Sequence, residues 1–234
     1  MITPLAQRPL YLDVADRVRE LIHQRSLLPG DWIDEPELCI QLEISRTPLR
    51  EALKVLHGEN LVELVPRKGC RVRALDDDEL LQLFPVMASL EGLCAKLAAH
   101  KLNAADVAHL EALHEKLEVH ARAEDVDSYY EANREFHLAV QNLAGNPWLQ
   151  HITGELRNVL TLARHRQLTV PGRLQTSLEE HRTIMRKLKE GDAAGADAAM
   201  HFHLCSQERI LREEQEAEQL NLTKTREAGA GNHQ

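Results

Sequence analysis

The sequence predicts a mainly α-helical protein of two domains: a small N-terminal one combining three helices with a β-hairpin, and a larger all-α bundle after it. Three observations carry this. Leu, Ala, Glu and Arg recur throughout while only 11 glycines and 9 prolines interrupt 234 residues, a helix-forming composition. Apolar residues return at helical spacing along most of the chain. In residues 58–75 that spacing gives way to two short extended runs around PRKG. The hydrophobic fraction of 43% is ordinary for a globular chain, and the length suits two modest domains.

Residues 1–9 hold two prolines and little periodicity and read as a flexible arm. From Tyr11, the apolar residues Val14, Val18, Leu21 and Ile22 follow i, i+4, i+7, i+8, an amphipathic helix that the Pro-Gly of LLPGD, 27–31, stops. A second short helix is expected over Glu35–Leu42, and a third from Arg46 to about His57. Val62 and Leu64–Val65 form one extended run and Val72 sits in another, with turn residues between, so a hairpin follows. Three helices and a hairpin within residues 10–74 make the winged helix-turn-helix plan.

DDDE at 76–79 marks a charged boundary and offers N-capping carboxylates. Helical periodicity then dominates to about Arg212, broken at Asn103, near Asp125–Asp127, at GNP (145–147), at VPG (170–172) and at EGD (190–192). About six helices are expected in a second domain spanning 75–214. The polar residues 215–234 are expected to form a disordered tail.

The net charge of −9 hides an asymmetry: residues 1–74 carry 11 basic and 11 acidic residues, so the whole deficit lies further on. Arg46, Arg50, Lys54, Arg67, Lys68, Arg71 and Arg73 crowd into residues 46–73. A local positive patch on an acidic protein suits a DNA-binding head on a body that avoids DNA, although charge alone fits a solvated surface better. In the third helix Leu49, Leu53 and Leu56 form the inward stripe, leaving Arg46 and Arg50 together at the N-terminal end of the other face. A recognition helix presents its side chains to major-groove base edges from that end. The arginine fork suits guanine O6 and N7; Ser45 and Thr47 suit phosphates, which position the protein without specifying sequence. Lys68 and Gly69, at the hairpin tip, are placed to reach the adjacent minor groove or backbone.

The segment PGDWIDEPELCIQLEISRTPLREALKVLHGENLVELVPRKGCRV resembles the N-terminal domain of the GntR family of bacterial transcription regulators, with SRTPLREAL and GCRV matching nearly position for position. Pro36 stands where members usually carry a DNA-contacting arginine. Further on, LEGLCAKLAA (90–99), NREFHLAVQNLAGNPWL (133–149), EEHRTIMRKLKEGDAAGADAAM (179–200) and HLCS (203–206) are similar to the FadR C-terminal domain, FCD, the effector domain of one GntR subfamily. The resemblance implies a divalent metal held by Asn133, His137, His181 and His203. It also implies a small organic acid as effector, and a homodimer on a pseudo-palindromic operator. Zinc, nickel or manganese would accept three imidazoles and one oxygen. Asn133 supplies that oxygen without the charge of the usual aspartate. Met87 or a neighbour stands where members often place a carboxylate-binding arginine, which leaves Arg164 as a candidate effector contact.

The composition also excludes classes of function. The four cysteines (Cys39, Cys70, Cys94, Cys205) form no CxxC pair, so reduced thiols in a cytoplasmic protein are expected rather than a disulfide framework. No apolar run is expected to be long enough to span a bilayer. A metal-dependent hydrolase built on the histidines is the alternative from another class, but no acidic residue is spaced as its general base. A metal-free polar core is the alternative within the regulator reading.

Overall fold

The computed structural model describes residues 8–163, 168 and 170–230. The fold divides into two compact units: one runs to Leu75 and includes Arg157–Ala163, and the other takes Asp76–Leu156 and the residues from 164 onward.

In the first unit, α1 (Leu10–His23), α2 (Glu35–Gln41) and α3 (Arg46–Gly58) precede strands β1 (Val62–Val65) and β2 (Gly69–Val72). The strands pair antiparallel from Val62↔Val72 to Val65↔Gly69, and a single bridge adds Trp32 beside Arg71. Val14 and Val18 of α1 and Leu49, Leu53 and Leu56 of α3 meet in one core with Leu38 and Val72, the helical stripes facing inward as their spacing requires. Asp34 starts α2 by accepting from the Glu37 amide at 2.9 Å, with Pro36 in the first turn. The turn between α2 and α3 passes through Glu43 at φ +53°, a left-handed conformation that an L side chain adopts at a cost. The hairpin turn uses Arg67 at φ +65° and then Gly69 at φ +112°.

From Asp76 onward there are six α-helices among the described residues: α4 (Asp77–Ala99), α5 (Ala104–Arg122), α6 (Val126–Ala144), α7 (Pro147–Leu160, its residues from Arg157 belonging to the first unit), α8 (Arg173–Lys189) and α9 (Ala193–Ala230). The acidic boundary works as a capping box, with the Asp76 side chain on the Glu79 amide and Glu79 reaching back. Asn103 and Asp125 cap α5 and α6 at the breaks expected there, and Gly145 ends α6 in the left-handed region. Helix α4 packs along α9 and against α6, while α8 lies against α9 and α5. The α4–α9 contact is tight at Gly92, where a Cβ would stand 2.4 Å from Asp197 Oδ1.

Two expectations need correction. Helix α4 is long and apolar enough to cross a bilayer by length and composition, with an 18-residue window of mean hydropathy 1.3. Its apolar character serves packing instead: Leu80, Phe84, Met87, Ala88, Cys94, Ala95 and Ala98 are buried in the bundle, with Glu91 among them. Helix α9 continues to Ala230, past the expected boundary near Glu214. Residues 213–228 contain neither glycine nor proline and are rich in Glu, Gln, Ala and Leu, so nothing local stops the helix.

Candidate functional site

The first candidate site is the open face of the three-helix unit. Ser45 is the N-cap of α3, but its hydroxyl caps no amide, so it stays available to an outside group. Arg46, Thr47 and Arg50 are all exposed along the first turns of α3. A groove of about 760 Å³ lies between α3 and the hairpin, lined in part by Thr47, Arg50, Lys54, Arg67, Lys68 and Gly69. The fold therefore brings Thr47, Arg50, Lys68 and Gly69 around one groove between helix and hairpin, with Ser45 and Arg46 exposed at the start of α3. Glu35, absent from the sequence-derived set, also lines the groove and pairs with Arg50 Nε at 3.5 Å. On the hairpin, Arg71 is paired with Glu63 and lies 5.9 Å from the Trp32 ring.

The second candidate site is buried in the bundle. His137 on α6, His181 on α8 and His203 on α9 come together from three helices, with one ligand nitrogen from each within 4.8 Å of the others. Their ring centroids lie 4.6–5.3 Å apart, and His137 and His203 stack. Asn133, one turn before His137, accepts from His181 Nε2 at 2.6 Å. His201, two residues from His203, is exposed, as helical geometry requires.

Burial holds all three imidazoles neutral: His137 is pushed down to about 3, His203 to about 4, and His181 well below its ordinary value. Carboxylates stand behind two of them. Glu91 of α4 accepts from His137 Nδ1, and Glu180 of α8 accepts from His203 Nδ1 at 2.7 Å. Each contact leaves Nε2 of that ring with its lone pair turned to other partners, Gln207 being one for His203 at 3.2 Å. Arg173 grips Glu180 through both terminal nitrogens at 3.1 and 2.9 Å. Burial raises the Glu180 pKa, but the hydrogen bonds from His203 and Arg173 prevail and bring it to about 2. His181 Nδ1 is buried with no hydrogen-bond partner among the described residues.

This donor set fits a divalent cation. Neutral imidazoles and an amide oxygen are competent ligands, and carboxylates behind metal-binding histidines fix tautomer and orientation. The orphaned nitrogen of His181 is a lone pair that the described residues leave unsatisfied, at a cost that coordination would remove.

The sequence reading missed Glu91, Glu180, Arg173 and Gln141, whose amide nitrogen reaches Glu91 at 3.2 Å. Glu91 carried a signal: an acid on the same helical stripe as Phe84, Met87, Ala88 and Ala95 must be buried and therefore paired. Met87 is buried core and contributes no charge where an arginine was considered. Arg164 lies outside the described residues.

Residues 10–72 match the bacterial regulatory proteins of the gntR family, and residues 82–205 match the FCD domain. Among curated relatives, the probable D-xylose utilization operon transcriptional repressor of Paenarthrobacter nicotinovorans is 30% identical, over 82% of this chain and 86% of its own. The transcriptional regulator LutR of Bacillus subtilis is 29% identical, over 82% and 96%. The solved structure of McbR/YncC from E. coli is 24% identical, covers 92% of this chain and 99% of its own, and superposes with a TM-score of 0.77, which shows the same fold. The FCD match covers half of the chain and the winged head precedes it, so the chain belongs to the GntR family of transcription regulators, in the branch that carries an FCD domain.

Proposed function

We propose that this regulator binds a pseudo-palindromic operator as a homodimer and answers to a small organic acid sensed at a divalent metal in the FCD domain. The working parts are residues 10–74 for DNA and 75–214 for effector and dimerisation. Arg46 and Arg50 read base edges in the major groove, Ser45 and Thr47 fix the helix on phosphates, and Lys68 and Gly69 carry the wing onto the neighbouring groove. Two heads related by a two-fold axis meet two half-sites.

In the bundle, Asn133, His137, His181 and His203 hold the cation, and Glu91 and Glu180 orient the rings. A cation bound by uncharged ligands keeps its full charge and supplies a Lewis-acidic point for a carboxylate. The observation that carries this half is the convergence of three neutral imidazoles on one buried point, with His181 Nδ1 unsatisfied. Effector binding shifts the heads between states only by its differential affinity for them. The relative named for an operon of D-xylose utilization favours repression relieved by a metabolite over activation.

A mobility-shift assay on the duplex upstream of the chain's own gene tests the DNA half. Arg46→Ala and Arg50→Ala should each weaken the shifted band; unchanged binding in both contradicts the recognition-helix assignment. A thermal-shift screen of organic acids, with and without added zinc, nickel or manganese, tests the sensor half. A ligand that binds the folded state raises the midpoint by mass action.

A further inference from the structure

We propose that Glu35 is a positioning residue for base reading, holding Arg50 by its Nε so that the terminal fork is directed to base edges instead of phosphates. The proposal rests on the DNA-reading assignment of the head. Glu35 is the first residue of α2, yet its side chain lies in the groove bounded by Thr47 of α3 and by Lys68 and Gly69 of the hairpin. Its side chain is only 20% exposed while that of Arg50 is 70% exposed. The carboxylate is thus the covered partner and the guanidinium the exposed one. The other acid of the groove, Glu51, is occupied with Lys54 at 2.7 Å and lies farther out.

A fixed negative charge on a face that meets polyanionic DNA opposes every phosphate contact alike. It favours operator binding only if it improves something that random DNA does not reward. The ion pair is made at Nε, the nitrogen nearest the chain, at 3.5 Å. Bidentate recognition of guanine uses two guanidinium donors in one plane, so a tether at the inner nitrogen restricts the torsion of that plane and leaves outer donors to the base. The same carboxylate makes non-productive phosphate contacts by Arg50 less favourable. Glu35 also sits close to the buried strand: burial first, and the Glu35 charge second, push the Cys70 thiol up to about 12. Glu35 therefore joins α2, α3 and the wing at the point where Arg50 leaves the surface.

A plain structural role is the rival, because an acid in the first turn favours helix formation. The test is the ratio of two affinities, which a helix-start role would not move. The full-length chain is first used to enrich a duplex from a randomised pool, and binding is measured to that duplex and to random duplex of equal length, at two salt concentrations. Glu35→Gln should bind random duplex more tightly and the selected duplex no more tightly, so that discrimination falls about tenfold, the size of one bidentate contact. Glu35→Asp should restore part of the ratio, and in an Arg50→Ala background Glu35→Gln should leave the ratio unchanged. Circular dichroism of each variant establishes folding. An equal rise in both affinities, or a loss of discrimination that persists without Arg50, overturns the proposal. A wild-type chain that enriches no duplex overturns the DNA-reading assignment itself, a different result from either.

Discussion

The ion pair in the groove of the head and the ion pair behind the histidines of the bundle sit in opposite surroundings. Arg50 pairs with Glu35 with 70% of its side chain exposed, whereas Arg173 pairs with Glu180 with 1% and 5% of the two side chains exposed. In the groove, charge is screened and the pair contributes little to folding, while the terminal donors of the exposed Arg50 stay open to a polyanion. Around the histidines the polar groups form a chain: Arg173 holds Glu180, Glu180 holds His203, and Glu91 holds His137. Such a network fixes geometry to the precision a metal or a small ligand needs, and it fails as a unit when one member is lost. These opposite arrangements suit a DNA-binding head and the sensor role proposed for the core.

The largest expected effect breaks this contrast directly. Glu180→Gln removes the partner of a buried guanidinium and should destabilise the bundle by about 3–5 kcal/mol, read as a shift of the urea midpoint followed by circular dichroism. Glu63→Gln on the hairpin, which frees the partly exposed Arg71, should cost less than about 1 kcal/mol. Equal losses would remove the distinction between the two regions.

Packing supplies a second comparison. Gly92→Ala drives a methyl to 2.4 Å from Asp197 Oδ1 and 3.2 Å from its carbonyl oxygen. The carboxylate end can swing aside but the carbonyl oxygen is held by the helix, so the change should cost about 1 kcal/mol even though alanine favours helix. Gly58→Ala, at the end of α3 with open space around its Cα, should instead stabilise by about 0.5–1 kcal/mol. Thermal midpoints of the two variants should move in opposite directions.

The smallest effect concerns the turn before the recognition helix. Glu43 at φ +53° occupies a conformation glycine adopts freely, so Glu43→Gly should stabilise the head by about 0.5–1 kcal/mol without altering DNA affinity. A destabilised head in a denaturant titration would mean that the Glu43 side chain makes a contact of its own.

The head was legible because its information is local. Leu49, Leu53 and Leu56 set one face of α3, and Arg46 and Arg50 then fall on the other by helical period alone. The hairpin announced itself through PRKG and the short valine-bearing runs. Glu35 escaped notice because its pairing with Arg50 joins two helices across a turn, and no period within α2 reports it. In the bundle, Asn133 and His137 share a face by spacing, but His181 and His203 joined them only through likeness to a known domain. The carboxylates behind them stayed hidden because Glu91 and His137 are 46 residues apart. Helix α9 runs past its expected end because a polar composition suggests disorder, although helix propensity does not require an apolar face.

Metal content tests the sensor most directly. The full-length chain, dialysed against excess zinc, nickel or manganese and then against metal-free buffer, should retain about one ion per chain by elemental analysis, as one set of four ligands implies. His137→Ala combined with His181→Ala should retain none while still shifting its DNA duplex. Metal retained equally by the variant, or absent from both at every metal tried, would contradict a cation at the histidine cluster.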